Sequence, residues 1–250
     1  MKTVFIGDIH GRSIWKKIIQ QEYGLSDDVF YVTRNGIDTS LIPEAKEAER
    51  NPYAVIYGSS YDRGLEQLLE MWGDVKKEVP QAELHVCYGW NTFDAMMQQR
   101  QGTPEGQQMA LFKQKIEGLL TQEGVIHHGR IGQDELSKLA TKCGVWAYPT
   151  WFSEISCISA MRFQACGAIP VVTPVAALKE TVQYGYKIGT ERLAQIKDKG
   201  NLEKFRDALI LTLKNKEKQE RVRAEMMPWA KNYFSMTKLA QEWNDYFKNN

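Results

Sequence analysis

Val145-Trp146-Ala147-Tyr148-Pro149-Thr150-Trp151-Phe152-Ser153-Glu154-Ile155-Ser156-Cys157-Ile158-Ser159-Ala160-Met161-Arg162-Phe163-Gln164-Ala165-Cys166-Gly167-Ala168-Ile169-Pro170-Val171-Val172-Thr173 sets the architecture of this chain. An apolar run, Val145–Tyr148, reads as a strand that Pro149 ends. A helix then runs from about Ser156 to Cys166, with Ser153 or Ser156 as its cap and Gly167 as its stop. Ile169–Thr173 reads as the next strand. Strand, helix, strand in this order is a βαβ unit, and βαβ units build parallel sheets. A helix that starts beyond a strand's carboxyl end presents free N–H groups and a positive dipole end, which suit a phosphate. Every βαβ unit has such a start, so this signal alone does not name a ligand.

The same alternation extends in both directions. Further strands are expected at Thr3–Ile6, Val29–Thr33, Ala54–Tyr57, Glu83–Tyr88 and Val125–His128. Helical patterns lie at Gly64–Val79, Pro104–Gln122 and Asp134–Cys143. The strands are short and apolar with little alternation, as when helices cover both faces of a sheet. Beyond Ile196 the chain becomes charged and amphipathic. Helices are expected over Leu202–Asn232 and Met236–Asn249, with Pro228 as a breaker.

Composition narrows the function classes. Of 250 residues, 43% are hydrophobic and 25% charged, enough apolar content for a buried core. The net charge of +1 argues against a nucleic-acid partner, which a broad basic excess would mark. The four cysteines, Cys87, Cys143, Cys157 and Cys166, form no CxxC pair, so they read as free buried thiols of a cytoplasmic protein. No apolar stretch reaches the roughly 20 residues that span a bilayer. His127 and His128 sit next to each other on a strand, point to opposite faces and make poor joint metal ligands.

The stretch from Glu154 to Val171 resembles the signature of the retaining group 4 glycosyltransferases: a Glu, a short apolar and glycine-containing loop, a helix, then Ala-x-Gly-x-Pro-Val, matched here, with one more residue before the proline, by Ala165, Gly167, Pro170 and Val171. Other pieces follow in order across residues 29–247. Asn35-Gly36-Ile37-Asp38 resembles the turn that opens the family's donor domain. Ser59-Ser60-Tyr61-Asp62-Arg63-Gly64 resembles its first phosphate loop, with Arg63-Gly64 where Lys-Gly is common. Pro80-Gln81-Ala82-Glu83-Leu84, Gly129-Arg130-Ile131 with Glu135-Leu136, Ala177-Leu178-Lys179-Glu180 and Trp229–Ser235 resemble further segments.

The resemblance implies an α/β, Rossmann-like parallel sheet with helices on both faces, the donor half of a GT-B fold. It implies transfer of a hexose from a UDP- or GDP-sugar to a glycan, lipid or protein acceptor, with retention, and no required cofactor or metal. Glu154 would contact the sugar hydroxyls, and the N–H groups of Ser156, Cys157 and Ile158 the distal phosphate. Ser60, Arg63 and Gly64 would hold the diphosphate, while Arg130, Ile131 and Leu136 line the base pocket. Blander readings stand beside these: Arg63 as a surface ion pair to a residue such as Glu66, and Glu154 as a carboxylate that caps a helix.

Two departures matter. The family repeats its Glu eight residues on, and here that position is Arg162, a donor that cannot accept hydrogen bonds from ribose. Arg162 is therefore carried as a nucleotide-contact residue whose partner is Glu154, the ligand or solvent. Residues 1–28 read as a strand–helix appendage before a nucleotide-sugar domain at 29–250, leaving no room for the family's acceptor domain. The chain is expected to be half an enzyme, as a single-domain form, as one part of a split pair whose acceptor domain is a separate chain, or as a cropped or rearranged reading frame, or else a nucleotide-binding module without turnover. Last, Gly7-Asp8-Ile9-His10-Gly11 resembles the first block of calcineurin-like metallophosphoesterases. That chemistry needs more ligands than four histidines and Ser59 provide, so a leftover strand–turn–helix of such a protein fused to the transferase half, or a plain strand and a helix capped by Ser13, is expected there.

Overall fold

The computed structural model describes residues 3–6, 9–44, 49–190 and 197–249. Thr3–Ile6 (β1) and Phe30–Thr33 (β2) flank the helix Ile9–Tyr23 (α1) and pair in parallel as a separate two-stranded sheet. Ser13 therefore lies inside α1 and does not cap it. Gly7 and Asp8 lie outside the described residues, and His10 falls in the first turn of α1.

The main sheet is built from Asn51–Gly58 (β3), Glu83–Cys87 (β4), Val125–Gly129 (β5), Cys143–Tyr148 (β6), Ile169–Val172 (β7) and Tyr186–Lys187 (β8). All six are parallel, in the order β5-β4-β3-β6-β7-β8. The chain lays down β3 at the centre, moves outward to β5, then returns to place β6 on the other side of β3. Such a reversal opens a crevice at the carboxyl ends of the two central strands, where doubly wound sheets bind ligands. β6 is buried along its whole length, as a central strand covered on both faces must be.

Leu65–Glu70 (α2) and Trp72–Glu78 (α3) pack on one face together with Lys199–Lys214, while Gln133–Lys142 (α6) and Ile158–Cys166 (α7) pack on the other with Lys216–Tyr233. Asn91–Gln99 (α4) and Pro104–Leu119 (α5) lie between β4 and β5. The one helix expected over Gly64–Val79 is two, divided at Met71. Between the sheet and these layers sit Trp72, Trp146, Tyr57, Phe163 and Leu65, all under 2% exposed.

Gly167 ends α7 in the left-handed conformation (φ 89°), and a Cβ there would meet the Arg50 guanidinium at 2.8 Å. Arg50 is buried and donates to the carbonyls of Cys143 and Cys166, and Arg223 donates to that of Gly167. The glycine that terminates α7 thus also leaves space for guanidinium groups that satisfy the helix-end carbonyls.

After Leu178–Thr181 (α8), three helices follow among the described residues: Lys199–Lys214 (α9), Lys216–Tyr233 (α10) and Met236–Asn249 (α11). The expected break at Pro228 does not occur. Pro228 lies inside α10, and the interruption falls at Asn215, whose side chain accepts from Lys218 N–H as a helix cap. α11 returns to β2, where Tyr31 stacks on Tyr246 at 3.8 Å and meets Trp243 edge-on. The Asn35–Asp38 turn docks beside it, with Ile37 N–H on the Phe234 carbonyl and Met236 N–H on the Ile37 carbonyl.

Candidate active site

Two loops meet at the crevice between β3 and β6. The first, Ser59–Gly64, leaves β3; the second, Pro149–Cys157, leaves β6. They are locked together at Gly64, whose φ of 116° and contact with Pro149 exclude a side chain: a Cβ would lie 2.5 Å from the Pro149 carbonyl oxygen. Tyr57 hydroxyl, buried at the end of β3, donates to the Ser60 carbonyl at 2.7 Å and shapes the first loop.

This packing brings Arg63 to Glu154. Arg63 Nη1 donates to Glu154 Oε1 at 3.4 Å, and its guanidinium lies 3.6 Å from the centre of the Phe152 ring. The Arg63 side chain is 33% exposed and that of Glu154 12%. Glu66, the alternative partner, is instead held by Lys115 at 2.6 Å. Glu154 Oε1 also accepts the Tyr148 hydroxyl at 2.9 Å, and that hydroxyl lies 3.1 Å from Ser59 Oγ. The Glu154 carboxylate therefore contacts the side chains of Arg63 and Tyr148, unlike a simple helix cap.

Helix α7 starts beside these groups. Its cap position is Cys157, with no side-chain capping bond, so neither Ser153 nor Ser156 caps it. Met161 N–H makes the first helical bond, to the Cys157 carbonyl. The N–H groups ahead of it lack helical partners. Ser156 Oγ is shut off from solvent without a hydrogen-bond partner among the described residues. Burial pushes the Cys157 thiol up to about 12, so it remains protonated at neutral pH and is a poor nucleophile. Ser159 Oγ donates to the Gly58 carbonyl and ties the helix start to β3.

On the β4 side, a cavity of about 140 Å³ is lined by Gly58, Cys87, Tyr88, Arg130, Ile131, Gln133 and Leu136. Arg130, Ile131 and Leu136 thus line one cavity. Tyr88 carries a φ of 129°, a strained conformation for a residue with a side chain. A Cβ on Gly89 would touch the Arg130 backbone at 3.0 Å, so the glycine lets the β4 and β5 loops close on each other. Arg162 is not paired with Glu154: it donates to Gln133 Oε1, on the cavity wall. Burial lowers its guanidinium below the ordinary range.

Tyr148, Phe152, Tyr88 and Gln133 do not stand out in the sequence, and Ser59 does so only within loop resemblances, not as a partner of Tyr148. An aromatic residue at a strand end reads as core, and nothing local marks its hydroxyl as a carboxylate partner. His127 and His128 do diverge: His127 pairs with Tyr61 at 2.8 Å and His128 with His85 at 2.9 Å. Among the described residues no cluster of three or more His, Cys, Asp or Glu is arranged to hold a metal. The four cysteines are buried and free.

A parallel six-stranded sheet with a cation, a carboxylate and a helix start at its reversal point defines an α/β domain with a ligand crevice. The comparisons with known proteins give its family. Residues 38–226 match the glycosyl transferases group 1, so the chain belongs to that family. No curated protein matches the chain in sequence. Among solved structures, Anabaena HepE in complex with UDP and glucose aligns with a TM-score of 0.70 at 13% identity, over 100% of this chain and 72% of that one. Sucrose-phosphate synthase from Thermosynechococcus elongatus aligns at 0.68 and 14% identity, over 98% and 58%. The pneumococcal O-GlcNAc transferase GtfA with UDP and GlcNAc aligns at 0.65 and 14%, over 98% and 45%. The chain thus spans about half the length of the latter two. The fold is the Rossmann-like half of a GT-B glycosyltransferase.

Proposed function

We propose that this chain is the donor-binding half of a glycosyltransferase that moves a hexose from a UDP- or GDP-sugar, with retention, to a glycan, lipid or protein acceptor. The observation that carries this reading is the meeting of Arg63 and Glu154 at 3.4 Å, at the sheet's reversal point, beside the start of α7. In the reaction the bond from the sugar to the diphosphate breaks, and the leaving diphosphate gains charge. Arg63, Ser60, the Gly64 turn and the open N–H groups near Ser156–Ile158 are suited to hold that charge. Glu154 accepts from sugar hydroxyls. Arg130, Ile131 and Leu136 enclose the base, and Arg162 acts there through Gln133. HepE and GtfA bound to UDP in their solved structures support UDP as the first nucleotide to test.

In this reading residues 29–250 form the donor domain and residues 1–28 an appendage. The buried free cysteines favour a reducing, cytoplasmic setting. A second reading, nucleotide binding without turnover, is favoured by Arg162 standing where the family carries a ribose-binding carboxylate. A thermal-shift screen against UDP, GDP, ADP and their sugars tests the proposal. A ligand at 100 times its Kd adds about 2.7 kcal/mol, which raises the melting point of a chain this size by roughly 5–11 °C. No shift with any of them at millimolar concentration would sink it.

A further inference from the structure

The Glu154 side chain is held by two groups of unequal quality. Arg63 reaches it at 3.4 Å, longer than the roughly 2.8 Å of a good charge-assisted bond, and divides its contacts with Phe152. Tyr148 reaches the same oxygen at 2.9 Å from a ring that is 1% exposed, packed against Trp146 at 5.6 Å and edge-on to Tyr57 at 5.8 Å. One donor is therefore loose and the other fixed. The Glu154 backbone is anchored independently, with its N–H on the Phe152 carbonyl and its carbonyl accepting from Ala177 N–H. Only the side-chain direction depends on Arg63 and Tyr148.

We propose that Tyr148 is a positioning residue that keeps the Glu154 carboxylate turned toward the donor sugar while the diphosphate draws Arg63 away. This rests on the function proposed above. A phenol has one proton to donate, and a carboxylate can only accept, so the Tyr148 proton goes to Glu154. Ser59, 3.1 Å away, then donates to the Tyr148 oxygen, giving a one-way chain from Ser59 through Tyr148 to Glu154. Burial, with the Glu154 charge next to it, raises the Tyr148 phenol far above neutral pH, so the donor is never lost. The chain bridges the ends of β3 and β6, the two strands whose loops make the crevice. Oε1 is occupied by Tyr148 in both states, which leaves Oε2 for a sugar hydroxyl. Without Tyr148, a carboxylate only 12% exposed would swing to solvent once Arg63 left it.

The test compares calorimetric affinities of the wild-type chain for UDP, GDP and ADP with those for UDP-glucose, GDP-mannose and ADP-glucose, then repeats the best pair with Tyr148→Phe and Ser59→Ala. Tyr148→Phe keeps the ring and removes only the hydroxyl. The expected result is a nucleoside diphosphate affinity within about twofold of wild type and a nucleotide-sugar affinity about tenfold weaker. Ser59→Ala should shift the same ratio by about threefold, and its test does not depend on the Tyr148 variant folding. Equal weakening toward both ligands would mark a purely structural role and overturn the inference, as would an unchanged ratio in both variants. Wild-type protein that binds none of the six ligands would overturn the proposed function and this inference with it.

Discussion

Removing the Arg63 side chain tests how the crevice handles charge. In the free protein the guanidinium has two partners, Glu154 Oε1 at 3.4 Å and the face of Phe152 at 3.6 Å, and is one-third exposed. Solvent screening and the long distance limit the ion pair to about 0.5 kcal/mol, and the ring contact adds about 0.5–1 kcal/mol. Arg63→Ala should therefore cost only about 1 kcal/mol of stability, or roughly 2–4 °C in Tm. Binding is affected more. A charge-assisted contact to a diphosphate contributes about 1.5–3 kcal/mol. Wild-type protein must first give up the Glu154 contact, so the net loss is about 1–2.5 kcal/mol, a fall of roughly five- to seventyfold in affinity for a nucleoside diphosphate. Titration calorimetry with UDP measures it, and repeating the titration at higher salt should shrink the difference between variant and wild type. A Kd within twofold of wild type, in a variant that remains folded, would refute the assignment of Arg63 to the phosphates.

Gly64→Ala should destabilise the fold by about 2–5 kcal/mol, because it adds left-handed strain of about 1–2 kcal/mol to a Cβ pressed 2.5 Å from the Pro149 oxygen. A urea unfolding free energy within 0.5 kcal/mol of wild type would show that the two loops do not pack this way. Arg162→Ala removes the donor on Gln133 and should weaken binding of a nucleoside monophosphate by about fivefold with little change in Tm; an unchanged affinity places Arg162 outside the site. His85, His127 and His128 are all lowered, mainly by burial. The unfolded chain then binds more protons than the folded one below about pH 6.5, so stability falls as pH drops through that value. His128→Gln should flatten the decline between pH 7.5 and 5.5 in urea midpoints; an identical slope would count against it.

Much of the architecture could be read locally. Short apolar runs such as Val145–Tyr148 and Ile169–Val172 leave little choice but strands covered on both faces. Gly167 was legible as a helix stop because only glycine adopts its φ without strain. Pro228 does not break its helix, because a proline in the sequence signals a lost N–H but not how the rest of the helix is held. The end of α9 was decided by Asn215, a capping residue that the charged composition around it concealed. The two-residue strand Tyr186–Lys187 is too short to carry a pattern of its own and exists because β7 offers it a parallel edge.

The amino-acid sequence by itself determined the alternation of strands and helices, the helix start after Glu154 and the residue types available for a charged ligand. These follow from burial periodicity and backbone conformation within a few residues. Only the tertiary structure decided which loops meet. Arg63 and Glu154 are 91 residues apart and become neighbours because β6 returns to the side of β3 and Gly64 lets the loops touch. The partner of Arg162, the cavity wall at Tyr88 and the hydroxyl of Tyr148 on Glu154 belong to the same class: each is a contact between side chains from different elements, and strand order, not local pattern, sets which elements adjoin.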